Sequence, residues 1–187
     1  MTTPAPTDVT PSNVLQGPAE IFTGNFGATE PANAAAVIDS TQWTFVGATD
    51  GGATVTVSQT YSNMVIDQVA LPVGTRLTGQ SVELATTLAE ATLASLKRAL
   101  NDTTTTGTTF ELNSQIANAD PTYSAILLKG LAPGGTPRLV IVRRALSTAN
   151  VAMAFKKDGM TVIPVTFSGF YVSQSISAFK IDDTPGA

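Results

Sequence analysis

Catalysis and metal binding draw on a small set of side chains, and two of the most useful are absent: the chain has no histidine and no cysteine. Without histidine there is no ordinary general base and no commonest metal ligand. Without cysteine there is no disulfide, no thiolate nucleophile and no thiolate metal site. The acids offer little in their place. Asp182-Asp183 is the only adjacent acidic pair, and beside the terminal Thr-Pro-Gly-Ala it reads as a solvated tail. Gly51-Gly52 and Gly134-Gly135 lack the G-x-x-x-x-G-K-[ST] spacing of a phosphate loop and read as turns. Trp43, Phe45 and Phe110 read as core. No enzymatic constellation can be assembled from what is left, and no cofactor is expected.

The basic side chains suggest contacts rather than chemistry. Arg143-Arg144 and Lys156-Lys157 fall in predicted strands, where alternation sends one member of each pair to each face. They are candidates for intersubunit salt bridges, or for solvated edge strands whose charges discourage uncontrolled pairing. All ten basic residues lie between Arg76 and Lys180, while residues 1–75 hold Asp8, Glu20, Glu30, Asp39, Asp50 and Asp67 and no base. An acidic half argues against binding nucleic acid by phosphate neutralisation. Chance sampling of a weakly charged surface would give the same asymmetry.

These residues sit on a chain that reads almost entirely as strand. At 187 residues it suits one domain, against a prior of about 150 residues per domain. Residues 1–19, with Pro4, Pro6, Pro11 and Pro18, predict an extended Pro/Thr-rich arm, and residues 20–187 a single β domain. Trp43–Gly47 predicts a strand, Asp50-Gly51-Gly52 a turn, and Ala53, Val55 and Val57 alternate with Thr54, Thr56 and Ser58 at period two. Further strands are predicted over Met64–Leu71, Arg76–Leu84, Tyr123–Leu128, Arg138–Leu146 and Ser175–Ile181. Val151–Lys157 and Met160–Phe167 flank Asp158-Gly159 as a hairpin. The 29 threonines suit pleated, half-buried surfaces. The fold class expected is mainly β, a sandwich or barrel of about eight strands.

One helix interrupts this pattern. Residues 87–101 open with Thr87 and Glu90, a T-x-x-E capping box, and carry Ala89, Leu93, Leu96 and Leu100 as one apolar stripe for packing. Lys97 and Arg98 complement the negative end of its dipole. Asp102, Thr103, Thr104, Thr105, Thr106, Gly107 and Thr108 then read as a flexible loop. No apolar run approaches the ~20 residues of a membrane span. The N-terminus has neither the basic start nor the apolar stretch of a signal peptide, so synthesis in the cytoplasm is expected.

Five stretches in order resemble the major tail proteins, or tail tube proteins, of long-tailed bacteriophages, especially those of actinobacteria. They are GPAEIFTGNFGATEP (17–31), WTFVGATDGG (43–52), MVIDQVALPVGTRL (64–77), VELATTLAEATLASLKRALN (82–101) and FKKDGMTVIPVTFSGF (155–170). The resemblance implies a β-sandwich with one flanking helix, a virion location, and assembly into hexameric rings stacked as a hollow conduit for double-stranded DNA. The partners it implies are further copies of the chain, a tape measure, a tail terminator and a baseplate or initiator, with no membrane. Asp50, Asp67 and Glu83 then become candidates for the lumen, where fixed carboxylates would repel phosphates. Residues 102–108 become candidates for inter-ring contacts. The alternative is a non-polymerising β-sandwich virion module, for decoration or receptor binding.

Overall fold

The computed structural model of the chain describes residues 10–102, 107–111, 120–155 and 157–184. Among them the chain forms β1 (Glu20–Asn25), β2 (Trp43–Phe45), β3 (Thr49–Met64), β4 (Gly74–Leu88), α1 (Leu93–Ala99), β5 (Ser124–Leu131), β6 (Pro137–Ser147), β7 (Ile163–Gly169) and β8 (Phe179–Asp182). Every pairing is antiparallel, in the order β2-β1-β5-β6-β7-β4-β3, with β8 added to β6. The fold is mainly β, consistent with a sandwich carrying a single helix.

The sandwich arises because β6 serves both halves. Leu139–Val142 pair with β8 on one side and β5 on the other, whereas Ala145–Ser147 pair with β7. Between them the β5 register slips, and a bulge of this kind bends and twists a strand. The halves therefore share one core: Ile21 from β1, Leu84 and Leu88 from β4, Ile126 from β5, Val142 from β6, and Ile163 and Phe167 from β7. A second cluster, built on Trp43, Leu127, Leu139 and Ile141, covers the opposite face of β5 and β6. Residues 28–38 lie over it, and Trp43 Nε1 donates to the Thr29 carbonyl at 2.8 Å. Two covered faces explain why β5 and β6 read as continuous apolar runs rather than alternating ones.

The helix is shorter than its sequence pattern predicts. Thr87 and Leu88 stay extended in β4, where Val82, Leu84, Thr86 and Leu88 alternate into the core at period two. Thr92, not Thr87, caps α1, its hydroxyl accepting from Ser95 N at 3.1 Å. Glu90 does no capping; its carboxylate accepts from Ala48 N at 2.9 Å. Gly47, at φ 104°, lies so close that a Cβ there would meet that carboxylate at 2.9 Å. Ala89, Leu93, Leu96 and Leu100 are half-buried, while Ser95, Lys97 and Ala99 are the fully buried positions.

The helix ends in a Schellman motif. Asn101 is left-handed at φ 60°, Asp102 N donates to Lys97 O at 2.8 Å and Asn101 N to Arg98 O at 3.2 Å. The Asn101 amide then behaves as a strand partner, donating to Ser147 O at 2.8 Å and accepting from Ser147 N at 2.6 Å. A seven-residue helix is too short to hold itself together in water. This amide fastens its end to β6.

Three further expectations are corrected. Gly51-Gly52 is a bulge inside β3, both residues at positive φ, not a turn between strands. Met64–Leu71 is no strand: β3 ends at Met64 and the chain turns. Residues 151–155 form no strand either, so the Asp158-Gly159 hairpin does not form, and Phe155 stands 84% exposed.

Gly169 of β7 lies between Val82 of the neighbouring strand β4 and Val142 of β6. A Cβ there would lie 2.3 Å from Val82 Cγ1 and 3.1 Å from Val142 Cγ1. Gly169→Ala should therefore lower unfolding stability by about 1–3 kcal/mol, as overpacking does. Urea unfolding of Gly169→Ala, alone and with Val82→Ala, checks this; part of the loss should return in the double variant.

Candidate assembly surface

Strands β3 and β4 outrun the body they belong to. They pair with each other from Thr49↔Leu88 to Met64↔Gly74, but β4 pairs with β7 only over Glu83–Leu88. Sixteen strand residues span about 50 Å, so the distal half, from Ser58 and Ser81 outward, is a free two-stranded ribbon. Its alternation does not stop where the core stops. Val55 and Val57 share the core face with Leu84 and Val82, and the same face continues through Gln59/Gln80 to Tyr61/Leu77. Val57, Tyr61 and Leu77 are exposed, Tyr61 by 56%. The tip adds Val65, Ile66, Val69, Leu71 and Val73, with Leu71 74% exposed.

The outer edge of β3 is equally bare. Its whole length lies at the end of the sheet order, and its sequence contains no Lys, Arg or Pro. Those are the residues with which proteins ordinarily blunt an edge against further pairing.

The opposite face of this half is polar. Register places Asp50 opposite Thr87 and Glu83 opposite both Thr56 and Ser168, so the two carboxylates share a face with Thr54, Ala85 and Thr166. Both acids are exposed. Arg76 falls on the same face further out, opposite Ser62. Asp67 is separated from the pair: it sits in the turn at the ribbon tip.

The basic pairs are engaged within the chain. The Arg143 guanidinium donates to both carboxylate oxygens of Glu30 and to Ser177 O. Arg144 stacks 3.8 Å from the Tyr123 ring centroid, faces Phe26 at 5.7 Å, and donates to Tyr171 O at 3.0 Å. Arg143 thus meets an acid of the N-terminal half, but in its own chain. β6 is an interior strand, so a solvated edge does not describe it. Lys157 is exposed in a turn, and Lys156 lies outside the described residues. Of the predicted inter-ring loop, Thr103, Thr104, Thr105 and Thr106 also lie outside them; Asp102 is half-buried, and Gly107 and Thr108 are exposed.

One cavity of about 220 Å³ opens between the halves, lined by Thr23, Asn25, Thr44, Arg98, Asn101 and Ser124 among others. Arg98 Nε is buried there without a hydrogen-bond partner, and desolvation lowers the guanidinium's pKa. Sequence reasoning gave Arg98 only a helix-end role. Its position in α1 carries no signal of a cavity, because that wall is completed by strands far off in sequence.

Among the described residues no group of three or more His, Cys, Asp or Glu could hold a metal ion, and no helix is long and apolar enough to cross a membrane. No protein-family model matches the chain, and no curated protein matches it. Shape, surface and sequence pattern therefore carry the functional reading.

Asp183 proves to be a clamp onto β6 rather than a tail, while Asp182 pairs within its own strand. Asp183 accepts two 2.7 Å bonds from Arg138, and Asp182 meets Lys180 Nζ at 2.8 Å, on the strand that pairs with β6. The Lys180 ammonium holds the Asp182 carboxyl well below its usual range, and the Arg138 guanidinium lowers that of Asp183. A carboxyl depressed on folding adds stability above its unfolded pKa, near 4, and loses it as pH falls through the folded value. Hydrogen-exchange protection of the Phe179–Asp182 amides should thus hold from pH 7 to 5 and decline below about pH 4. Protection unchanged down to pH 2.5 would show that these pairs do not secure β8.

Proposed function

We propose that this chain is a structural, self-assembling virion protein, a major tail tube subunit whose rings stack into a conduit for phage DNA. The observation that carries the reading is the ribbon. A surface whose core-facing alternation continues some twenty ångströms beyond the core (six or seven residues at about 3.3 Å each) is built to be covered. The bare β3 edge offers backbone pairing to the same end. A second copy is the occupant the reading commits to, since a head-to-tail contact of this kind closes into rings when the rotation allows.

The polar face supports the second half of the reading. A wall of small hydroxyl side chains with Asp50 and Glu83 presents no cation to phosphate along its body portion, and fixed negative charge keeps a duplex in transit from adhering. In this reading the chain is not an enzyme. Its partners are its own copies, arranged as hexamers, together with a tape measure, a tail terminator and a baseplate or initiator.

Light scattering with negative-stain electron microscopy on the purified chain tests the assembly. Rings or hollow tubes are expected. Tyr61→Lys with Leu77→Lys should abolish them while shifting unfolding stability by no more than about 0.5 kcal/mol, since both sites are exposed. A chain that stays monomeric at every concentration, alone or with an initiator, sinks the reading in favour of a non-polymerising module. The conduit is tested separately: Asp50→Asn with Glu83→Gln should slow DNA ejection from assembled particles. An ejection rate equal to that of the unaltered particle would take the two carboxylates out of the lumen.

A further inference from the structure

A recess of about 230 Å³ opens where the cover over the second core cluster is incomplete. Its floor is Trp43, Ala125 and Ile141, all buried. Its walls are the loop after β1, from Phe26 to Glu30, and Val172 and Ile176 from the segment between β7 and β8. The charged part of the wall answers itself: Arg143 donates to both carboxylate oxygens of Glu30 and to Ser177 O. The recess therefore offers apolar surface rather than a free charge, and Phe26 and Ile176 stand exposed at its rim. A concavity of this composition takes an uncharged, apolar group.

The matching projection is the ribbon tip. Residues 65–73 (VIDQVALPV) carry Asp67 as their only charge, and a tight turn, with Val73 N donating to Met64 O at 2.9 Å, holds them outward. The exposed apolar side chains from Val57 to Leu77 present roughly 800 Å² together, the share that one partner contributes to a stable interface. Charge points the same way. Arg144 faces the Phe26 ring at 5.7 Å and bonds Tyr171 O at the surface, yet it enters no ion pair among the described residues. The tip brings an acid to that cation. Phe155 is as exposed as any tip residue, but Lys157 travels with it and would meet Arg144 as a like charge.

We infer that the recess over Trp43 is a receptor for an apolar side chain, and that its occupant is Leu71 from the ribbon tip of a second copy, with Asp67 beside Arg144. This rests on the self-assembly reading and names where on the next copy the ribbon enters. Each copy carries one tip and one recess, so copies join head to tail. A large apolar side chain seated in a pocket is the kind of anchor that dominates an interface.

Light scattering gives the concentration at which half the chain is assembled, for the unaltered protein, Leu71→Ala, Val172→Phe and the double variant. Leu71→Ala removes the inserted side chain, and Val172→Phe fills the recess from its wall; each should raise that concentration about tenfold. The double should be no worse than the poorer single, because a filled recess has no use for Leu71. Singles that assemble like the unaltered protein, or losses that multiply in the double, overturn the pairing. Asp67→Lys should impair assembly more than Asp67→Asn, and equal effects overturn the contact with Arg144. An unaltered chain that never assembles overturns the self-assembly reading itself, a distinguishable result. Because Val172→Phe touches a half-buried wall, a second measurement leaves the recess and Leu71 intact. Ala70→Cys with Ile176→Cys adds the only two thiols to a cysteine-free chain. Oxidation of assembled protein should give a ladder of disulfide-linked chains. Assembled protein without a ladder overturns the proposal, as does a ladder that appears instead with Lys157→Cys and Ile176→Cys, which would assign the recess to the loop bearing Phe155.

Discussion

Between Val142 and Ala145 the strand β6 exchanges one neighbour for another, β8 giving way to β7, while β5 follows along the other side. That exchange turns a single hydrogen-bonded sheet into two facing layers with a shared interior. Two consecutive arginines occupy the bend. Arg143 N donates to Ala178 O while its side chain reaches Glu30 and Ser177, and Arg144 O accepts from Phe170 N while its side chain lies on Tyr123 and Phe26. The bend thus gathers the loop after β1, the start of β5 and the segment between β7 and β8. A bulge in a central strand leaves backbone groups out of register, and here neighbouring loops supply the missing partners.

The body and the ribbon answer different requirements. Inside the body, apolar alternation on β4 is matched by β7 and by the facing layer, so Val82, Leu84 and Leu88 are buried. Past Val82 the facing layer ends and the alternation does not. An isolated two-stranded ribbon is at best marginally stable in water, and this one is tied down only at its base. Its register is pinned by a second irregularity at Thr60/Tyr61, where Thr78 is the extra residue and its hydroxyl donates to Thr60 O at 3.1 Å. Slippage by one residue would carry Tyr61 to the polar face.

Local pattern was a good guide wherever one element decides its own environment. The runs from Ser124 and Pro137, the alternation from Ala53 to Ser58 and the mainly β class were all legible. So was the existence of a helix, but not its start, because TLAEATL fits a cap and a strand end equally and the core contacts of Leu84 and Leu88 chose the strand. The stretch Met64–Leu71 is apolar enough for a strand, and only the pairing partner reveals it as a tip. Gly51-Gly52 carries the composition of a turn, while the continuing ladder to Thr86 makes it a bulge. Asp183 was unreadable as a clamp, since Arg138 stands more than forty residues away. The cavity at Arg98 depends on five separate elements and leaves no trace in any of them.

The amide of Asn101 carries the join between helix and strand, and asparagine is a chemically mortal residue. Deamidation would replace its donor with a second acceptor facing the Ser147 carbonyl, turning a paired contact into a repulsive one. The reaction begins when the backbone nitrogen of the following residue attacks the side-chain carbonyl. Here that nitrogen belongs to Asp102, and its hydrogen is already committed to Lys97 O at 2.8 Å, while the side-chain oxygen is held by Ser147 N. The turn that ends the helix thereby holds back the attack on its own side-chain amide.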